Sequence, residues 1–493
     1  MNATAFVWLI ALPLASAPVI YLAGHIRRAA RWIALIALLA TWIPFALAAQ
    51  DLAAHGPAVF ALGGVALRLD GLSLLLAALV LALTTLVVLF SNPYMAGEIG
   101  EEKYYAMLSA LAGVMLGLGC AADLFNLWIW FEAMAVSSYL LVAFYRDQPA
   151  SLEAGVKYLV QSATGSVLVL LGIALTLAHA GTVNLAELAL MAQPAQPMLL
   201  AAGALFVVGF GVKIALAPMH TWLPDAHAQA PSGISAMLSG VVIETGLVAL
   251  LRALSALAGV TPSWGLLLMG FGALNMLVGN LMALRQAQVK RLLAYSSLSH
   301  VGYMLLGLGI GVYAGEVAGA QGGFFHLINH GLMKGLAFLA AGALLYTLHA
   351  ASGDHSPLTI ADLGGAARRY PVAALALSVA LLGLGGLPPL AGFMSKWQIF
   401  VSGMETHNLI IEALVIFAAL NSVLSLAYYA PLVNAVYRQQ PSDAVRRGRP
   451  LPALMSVPLV MLALAVVAIG AWPGLMQWLT EPAGAALLQA FGG

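Results

Sequence analysis

Long apolar stretches run from one end of the chain to the other, separated by short polar or basic interruptions. Runs of about eighteen or more apolar residues read as membrane spans. About fourteen are predicted, near 6–24, 30–49, 69–91, 104–121, 124–145, 156–179, 198–220, 233–257, 263–284, 291–313, 320–348, 371–393, 407–437 and 452–475. Backbone amides in lipid must bond within their own segment, so each stretch is expected to be a helix. The expected fold class is an all-α polytopic membrane protein, organised as a single membrane domain over 1–493.

Two of the stretches are interrupted in a similar way. Residues 209–224 read GFGVKIALAPMHTWLP, and residues 384–397 read LGGLPPLAGFMSKW. In each, glycine and proline free backbone groups at membrane depth beside a lysine. Two broken helices five spans apart predict two repeats of five helices, inverted relative to each other because five is odd. The repeats fall at 104–257 and 263–437, after three first helices within 1–95 and before a last helix at 452–475. The polar, basic segment 436–452 reads as an ordinary connector.

Composition agrees. Of 493 residues, 62% are hydrophobic and 8% charged, and the mean hydropathy is +0.96. A soluble domain carries about a quarter charged residues, so most of this chain cannot face water. A net charge of +1 gives no basic surface for nucleic acid. Basic residues are placed unevenly. With the N-terminus outside, the cytoplasmic loops hold Arg27, Arg28, Arg31, Lys103, Arg146, Lys157, Arg285, Lys290, Arg291, Arg368, Arg369, Arg438, Arg446, Arg447 and Arg449, which is 15 of the 20 lysines and arginines. That asymmetry orients the chain, and an even span count puts both termini outside. Ala15-Ser16-Ala17 could mimic a cleavage site, but the arginines follow the first apolar run instead of preceding it, so an uncleaved first span is expected.

The single cysteine, Cys120, lies in an apolar run and reads as a small core residue. Disulfides, zinc sites and thiolate-held clusters need more cysteines than one. No cofactor is expected, and no redox centre within this chain.

Charges kept inside spans are costly and therefore informative, at about 2.5–3.5 kcal/mol each on insertion scales. The candidates are Glu132, Lys213, Glu244, the trio His326, His330 and Lys334, and Lys396. Glu132 reads as a carboxylate paired with a lysine on a neighbouring helix, or as a hydrogen-bonded packing acid. Lys213 sits five residues before Pro218. Burial pulls an ammonium toward releasing its proton and a nearby carboxylate pulls it back, so making or breaking that pair is a proton switch; the alternative is a snorkelling lysine. Glu244 could accept the proton from Lys213, hold a cation, or stay protonated and silent. His326, His330 and Lys334 recur at four-residue spacing and share one helical face, which suits a proton path; packing histidines or a metal pair are the other readings. Lys396 ends the second broken helix, as a proton exit or as an interfacial lysine. His220, Asp225 and His227, near the first break, form a cytoplasmic entrance or are plain polar loop residues.

The stretches FNLWIWFEAMAVSSYLL, GVKIALAPMHTWLPDAHAQAPSGISAML, VKRLLAYSSLSHVGYMLLGLG, FHLINHGLMKGLAFLAAGALLY and GLPPLAGFMSKW resemble the antiporter-like membrane subunits of respiratory complex I. That family also includes the large subunits of Mrp-type cation/proton antiporters and of membrane-bound energy-converting hydrogenases. The resemblance runs from about Asp70 to Lys396. It implies fourteen helices with two inverted five-helix repeats, each offering a half-channel around a broken helix. It also implies a Glu132–Lys213 pair, a bridging position at Glu244, a central His326/His330/Lys334 group and a terminal Lys396. The bridging residue is usually a lysine, so Glu244 is a departure that gives Lys213 acids on two sides. The implied function is proton or cation/proton translocation in the inner (plasma) membrane of a bacterium or archaeon. The implied partners are other membrane subunits of a multi-subunit complex, peripheral redox or soluble subunits, and the lipid bilayer. Quinone, NADH or hydrogen chemistry would belong to those partners. An ion-coupled transporter module with one soluble partner, for instance in inorganic-carbon uptake, and a non-conducting membrane scaffold remain as other readings.

Overall fold

The structure, a computed structural model, describes residues 3–24, 29–62, 65–349, 356–438 and 440–492. Helices α1 (Ala3–Ala23) and α2 (Ala29–His55) lead into a hairpin of β1 (Ala58–Leu62) and β2 (Val65–Leu69). Then come α3 (Gly71–Tyr94), α4 (Glu101–Gly119), α5 (Leu124–Val142), α6 (Pro149–Ala180), a short α7 (Leu185–Met191), α8 (Pro197–Ile214) and α9 (Trp222–Gln229). Helix α10 (Ser232–Met237) passes through a π-helical turn into α11 (Ile243–Ser255), followed by α12 (Trp264–Ala283), α13 (Val289–Ala314) and α14 (Val317–Leu348). The last third holds α15 (Ala366–Arg369), α16 (Pro371–Gly385), α17 (Ala391–Glu405), α18 (Leu409–Val436), α19 (Asp443–Arg447), α20 (Ala453–Ala471) and α21 (Gln477–Ala490).

The protein is predominantly helical. Among the described residues, twelve helical segments are long and apolar enough to cross a membrane. Helix α4, which opens on Glu101, Glu102 and Lys103, and the fifteen-residue α16 and α17 lie outside that set. The helices sort by what covers them. Segment Ser232–Ser255 is wholly buried, α13 and α14 nearly so, whereas α2, α6 and α18 leave most of their apolar surface exposed. The apolar outer faces suit lipid, and polar side chains gather on the inner helices, where they can find partners.

Helices α12 and α13 meet along a glycine seam. Gly265, Gly272 and Gly279 of α12 recur every seven residues opposite Gly302 and Gly309 of α13. A Cβ at Gly272 would lie 2.8 Å from the Gly302 carbonyl oxygen, and one at Gly309 would lie 2.7 Å from that of Gly265. Only glycine permits that approach, and a seven-residue period keeps the seam facing its partner.

Two charged clusters clamp the ends of the bundle. Asp70 caps α3 through a reciprocal pair with Ser73 and is only 1% exposed. Its carboxylate accepts from Arg252 Nη1 at 2.6 Å and Nη2 at 2.8 Å, and Arg68 Nε lies 3.0 Å away. Burial alone would raise this carboxyl; the Arg252 and Arg68 guanidiniums outweigh it and hold it at about 2, below the ordinary 3.8. At the other cluster, Arg31 donates to both oxygens of Glu101 at 2.8 Å and to the Asn92 carbonyl at 3.0 Å. Arg31 is thus a buried tie between α2, α3 and α4 and not a loop charge, because Glu101 and Asn92 supply the partners its burial requires. Arg27 and Arg28 lie outside the described residues.

Removing one partner of a buried pair leaves an uncompensated charge and costs about 3–5 kcal/mol. Asp70→Ala is therefore expected to lower the melting temperature of the purified protein sharply, and an unchanged melting point contradicts the clamp. Because the folded Asp70 carboxyl lies below its unfolded value, its contribution is complete above about pH 4 and fades as the pH falls from there toward about 2.

Candidate functional site

Helix α8 stops at Ile214. Ala215 takes a left-handed conformation (φ 60°), and Pro218, joined to Ala217 by a cis bond, has no N–H to continue the ladder. Asn275 of α12 fills the gap: its Oδ1 accepts from the Ala217 N–H at 2.8 Å and its Nδ2 donates to the Ala215 carbonyl at 3.4 Å. Lys213 sits one residue inside this break, fully buried. Its ammonium donates to the Tyr158 hydroxyl of α6 at 2.5 Å and lies 4.5 Å from the centre of that ring. Tyr158 is itself held flat against Trp222, 3.9 Å between ring centres, and the Trp222 indole N–H donates to the Val212 carbonyl at 2.7 Å.

The second break is built in the same materials. Helix α16 ends at Gly386, which is left-handed (φ 81°), ahead of a cis Pro388–Pro389 bond. Lys396 reaches back from α17 to donate to the Leu384 carbonyl at 2.9 Å and to the Ser422 hydroxyl at 2.8 Å. Its ammonium lies 4.6 Å from the centre of the Tyr303 ring. Lys396 therefore lies within the helix that follows the break, tied to the exposed carbonyl end of the one before it.

Between the breaks runs a line of titratable side chains, all essentially excluded from solvent. Glu244 Oε1 of α11 lies 2.8 Å from His330 Nδ1 of α14, while Glu244 Oε2 and His330 Nε2 have no hydrogen-bond partner among the described residues. His330 stacks on His300 of α13, with ring centres 5.4 Å apart. His300 Nδ1 lies 3.1 Å from His326 Nε2, and His326 Nδ1 lies 2.9 Å from the Ser395 hydroxyl of α17. Ser395 precedes Lys396. Lys334 stands to one side, donating to the Leu293 carbonyl at 2.8 Å and to the Ser296 hydroxyl of α13.

Not every expected neighbour is there. Among the described residues no ion pair joins Lys213 to Glu132 or to Glu244. Glu132 is the carboxylate whose charge acts on Lys213, but its own Oε1 is buried without a hydrogen-bond partner. Glu244, read from the sequence as an acid beside Lys213, is instead committed to His330. Asp225 is a surface group: Lys157 Nζ lies 3.0 Å and Arg291 Nη1 2.5 Å from its oxygens. Its partial burial pushes its carboxyl up, and the hydrogen bonds from Lys157 and Arg291 outweigh that and lower it. His220 meets Tyr295 edge-on and keeps a buried Nδ1 without a partner. His227 is fully buried.

Four contributors were not singled out from the sequence. His300 is the joint of the histidine line, Tyr158 and Tyr303 floor the two lysines, and Lys290 is buried at 7% exposure instead of lying in a loop. A lone histidine inside an apolar run is a signal for His300. Nothing in the pattern marks the tyrosines.

Apolar helices packed around a buried row of acids, histidines and lysines, with two interrupted helices holding the end lysines, define an antiporter-like membrane subunit. The chain belongs to the NADH:quinone oxidoreductase/Mrp antiporter family of membrane subunits: the family described as "NADH:quinone oxidoreductase/Mrp antiporter, TM" matches residues 121–425. A second description, "NADH-Ubiquinone oxidoreductase (complex I), chain 5 N-terminus", matches residues 64–105. The NADH-quinone oxidoreductase subunit N of Desulforudis audaxviator is 31% identical over 404 residues, 78% of this chain and 77% of that protein. The F(420)H(2) dehydrogenase subunit N of Methanosarcina mazei is 34% identical over 383 residues, 76% of this chain and 75% of that one. A chain of the membrane-bound sulfane sulfur reductase, an archaeal respiratory membrane complex, superposes with a TM-score of 0.87 at 29% identity, covering 98% of each chain.

Proposed function

We propose that this chain carries protons across the plasma membrane as one subunit of a larger membrane complex with peripheral redox partners. The observation that carries the reading is the buried row of Glu244, His330, His300, His326 and Ser395, in which Glu244–His330, His300–His326 and His326–Ser395 stand at hydrogen-bond distance, His330 stacks on His300, and Lys396 follows Ser395 on α17. Every member can hold or pass a proton, and an uncharged imidazole accepts at one nitrogen while it donates from the other. Lys213 is the switch: it gives its proton up when Glu132 draws away and holds it when Glu132 draws near. Glu244 receives, the histidines conduct, and Lys396 releases. Lys334, within reach of α13, sets the charge beside the histidine line. The named relatives are subunits of an NADH-quinone oxidoreductase and an F(420)H(2) dehydrogenase and a chain of an archaeal respiratory membrane complex, which supports a partner-driven role.

The same reading counts fourteen crossings, the twelve apolar segments together with α4 and the broken pair α16–α17. Helices α4 to α11 then form one five-crossing repeat and α12 to α18 an inverted second, since the fourth crossing of each carries the break. The excess of basic residues in alternate loops supports both termini outside.

His300→Phe tests the line at its joint, because phenylalanine keeps the stacked ring and removes both ring nitrogens. Proton flux into liposomes bearing the intact complex is expected to fall by about tenfold or more. Wild-type flux in an assembled His300→Phe complex contradicts the relay.

A further inference from the structure

A trench on the outer surface of the bundle, formed by α1, α4 and α5, lies outside the relay. We propose that it is a binding site for one phospholipid whose headgroup carries both a phosphate and a primary ammonium.

The floor of the trench is one face of α4. Lys103, Ala106, Met107 and Ala110 follow one another at helical spacing and so point the same way. That face continues to Gly113 and Gly117, but there the protein covers it with its own side chains. A Cβ at Gly113 would lie 2.7 Å from Leu14 Cγ of α1, and one at Gly117 would lie 2.6 Å from Trp130 Cε2 of α5. Between Lys103 and Ala110 the covering stops. Ala17, Pro18 and Tyr21 of α1 form one wall, and Leu140 of α5 with Phe144 just beyond its end forms the other. The space between them is about 880 Å³. Leu140 is 47% and Tyr21 41% exposed, so the trench opens outward between apolar lips.

Depth and volume select the occupant. From Lys103 to Ala110 is about 10 Å of helical rise. The headgroup layer is about 5–8 Å deep on each side of a hydrocarbon core of about 30 Å, so the trench starts among headgroups and ends among acyl chains. A membrane-crossing helix, about 10 Å wide and 30 Å long, fills about 2,400 Å³. It is far too large for this space, and it would run into Leu14 and Trp130. The volume instead falls in the range of about 300–1,000 Å³ that suits a single small ligand.

The mouth of the trench identifies the headgroup. Where α1 ends, α4 begins and α5 gives way to α6, four charged side chains line it: Lys103, Arg146, Glu98 and Asp147. Among the described residues none of the four makes an ion pair or a side-chain hydrogen bond. Two cations and two carboxylates that are not spent on each other match a phosphate and an ammonium on one headgroup. A headgroup with phosphate alone would satisfy the cations and leave the carboxylates beside a like charge. Below the mouth, the small side chains of Ala106 and Ala110 leave room for the acyl chains against Tyr21, Leu140 and Phe144.

The test uses the whole complex in detergent with a trace of phosphatidylethanolamine that carries a diazirine on one acyl chain. After photolysis and digestion, the label should fall on the peptides holding residues 106–110 and 140–144. Unlabelled phosphatidylethanolamine should compete about three- to fivefold better than phosphatidylglycerol, which lacks the ammonium. Lys103→Gln combined with Arg146→Gln should weaken labelling by about the same factor. Both side chains are exposed, so this variant keeps its fold and decides the matter if Ala110→Trp does not assemble. Ala110→Trp fills the floor and should abolish the label. Equal competition by the two lipids overturns the headgroup assignment. Label that no unlabelled lipid displaces, or that persists unchanged in the variants, overturns the site. Absence of label from both peptides means that a neighbouring subunit covers the trench, and overturns the proposal.

Discussion

Glu244→Lys is expected to stop proton transfer, although it changes this position toward the residue the family usually carries there. The reason lies in the partner. Glu244 Oε1 is 2.8 Å from His330 Nδ1, both side chains have no solvent exposure, and among the described residues no other cationic side chain forms an ion pair with that carboxylate. The acid lets His330 take up a proton, because an imidazolium beside a carboxylate is a paired charge. An ammonium at 244 reverses this. A proton arriving on His330 would then face a like charge where the dielectric is low, and burying an unpaired ion costs several kcal/mol. The first step of the histidine line is blocked, and flux should fall by about a hundredfold or more while the helices still pack. The pH-dye assay reads it directly. Retained flux in Glu244→Lys means that the Glu244–His330 pair does not conduct, and that the acid is a bystander in a path that runs elsewhere.

The second large effect is expected at Lys213. Its ammonium rests on Tyr158, which is pinned by Trp222, and the helix that carries it ends one residue later. Its stem packs against Gly246 of α11, where an added Cβ would lie 3.3 Å from the lysine Cβ. The lysine therefore stands where three things meet: the end of a broken helix, the carboxylate of Glu132 whose charge acts on it, and the helix bearing Glu244. Lys213→Ala removes the amine at that junction and leaves the break capped by Asn275. Assembly should survive and flux should fall by about a hundredfold or more. Lys213→Arg is a sharper control for the same idea. It keeps a cation over Tyr158, but a guanidinium does not release its proton in this range, so it should fail as a switch.

The membrane class, most helix positions and the two breaks were legible because each depends on local facts: apolar length, the missing amide of proline and the shape of glycine. The charged candidates were legible because each is expensive where it stands. Their partnerships were not. Glu244 meets His330 across 86 residues of chain, Lys213 meets Tyr158 across 55, and His326 meets Ser395 across 69. No local pattern encodes such pairings, and so the pairing of Glu244 with His330 was not anticipated. Lys290 and Arg31 misled for a related reason. A basic residue at the end of an apolar run looks like a loop charge until a carbonyl or a carboxylate from a distant helix is seen to receive it. The hairpin of β1 and β2 and helix α21 were missed because short or mixed segments leave weak periodicity, and α21 owes its place to packing: Gly71 of α3 lies directly under the Pro482 backbone.

One measurement goes to the centre of the matter. The native complex is purified, placed in liposomes and driven by its own electron donor, with proton and sodium fluxes recorded together for the wild type and for Lys213→Ala at equal assembly. Proton flux in the wild type and its collapse in Lys213→Ala is the expected result. Equal proton flux in the two, with the complex intact, would contradict the relay and leave this chain a scaffold for ion movement elsewhere.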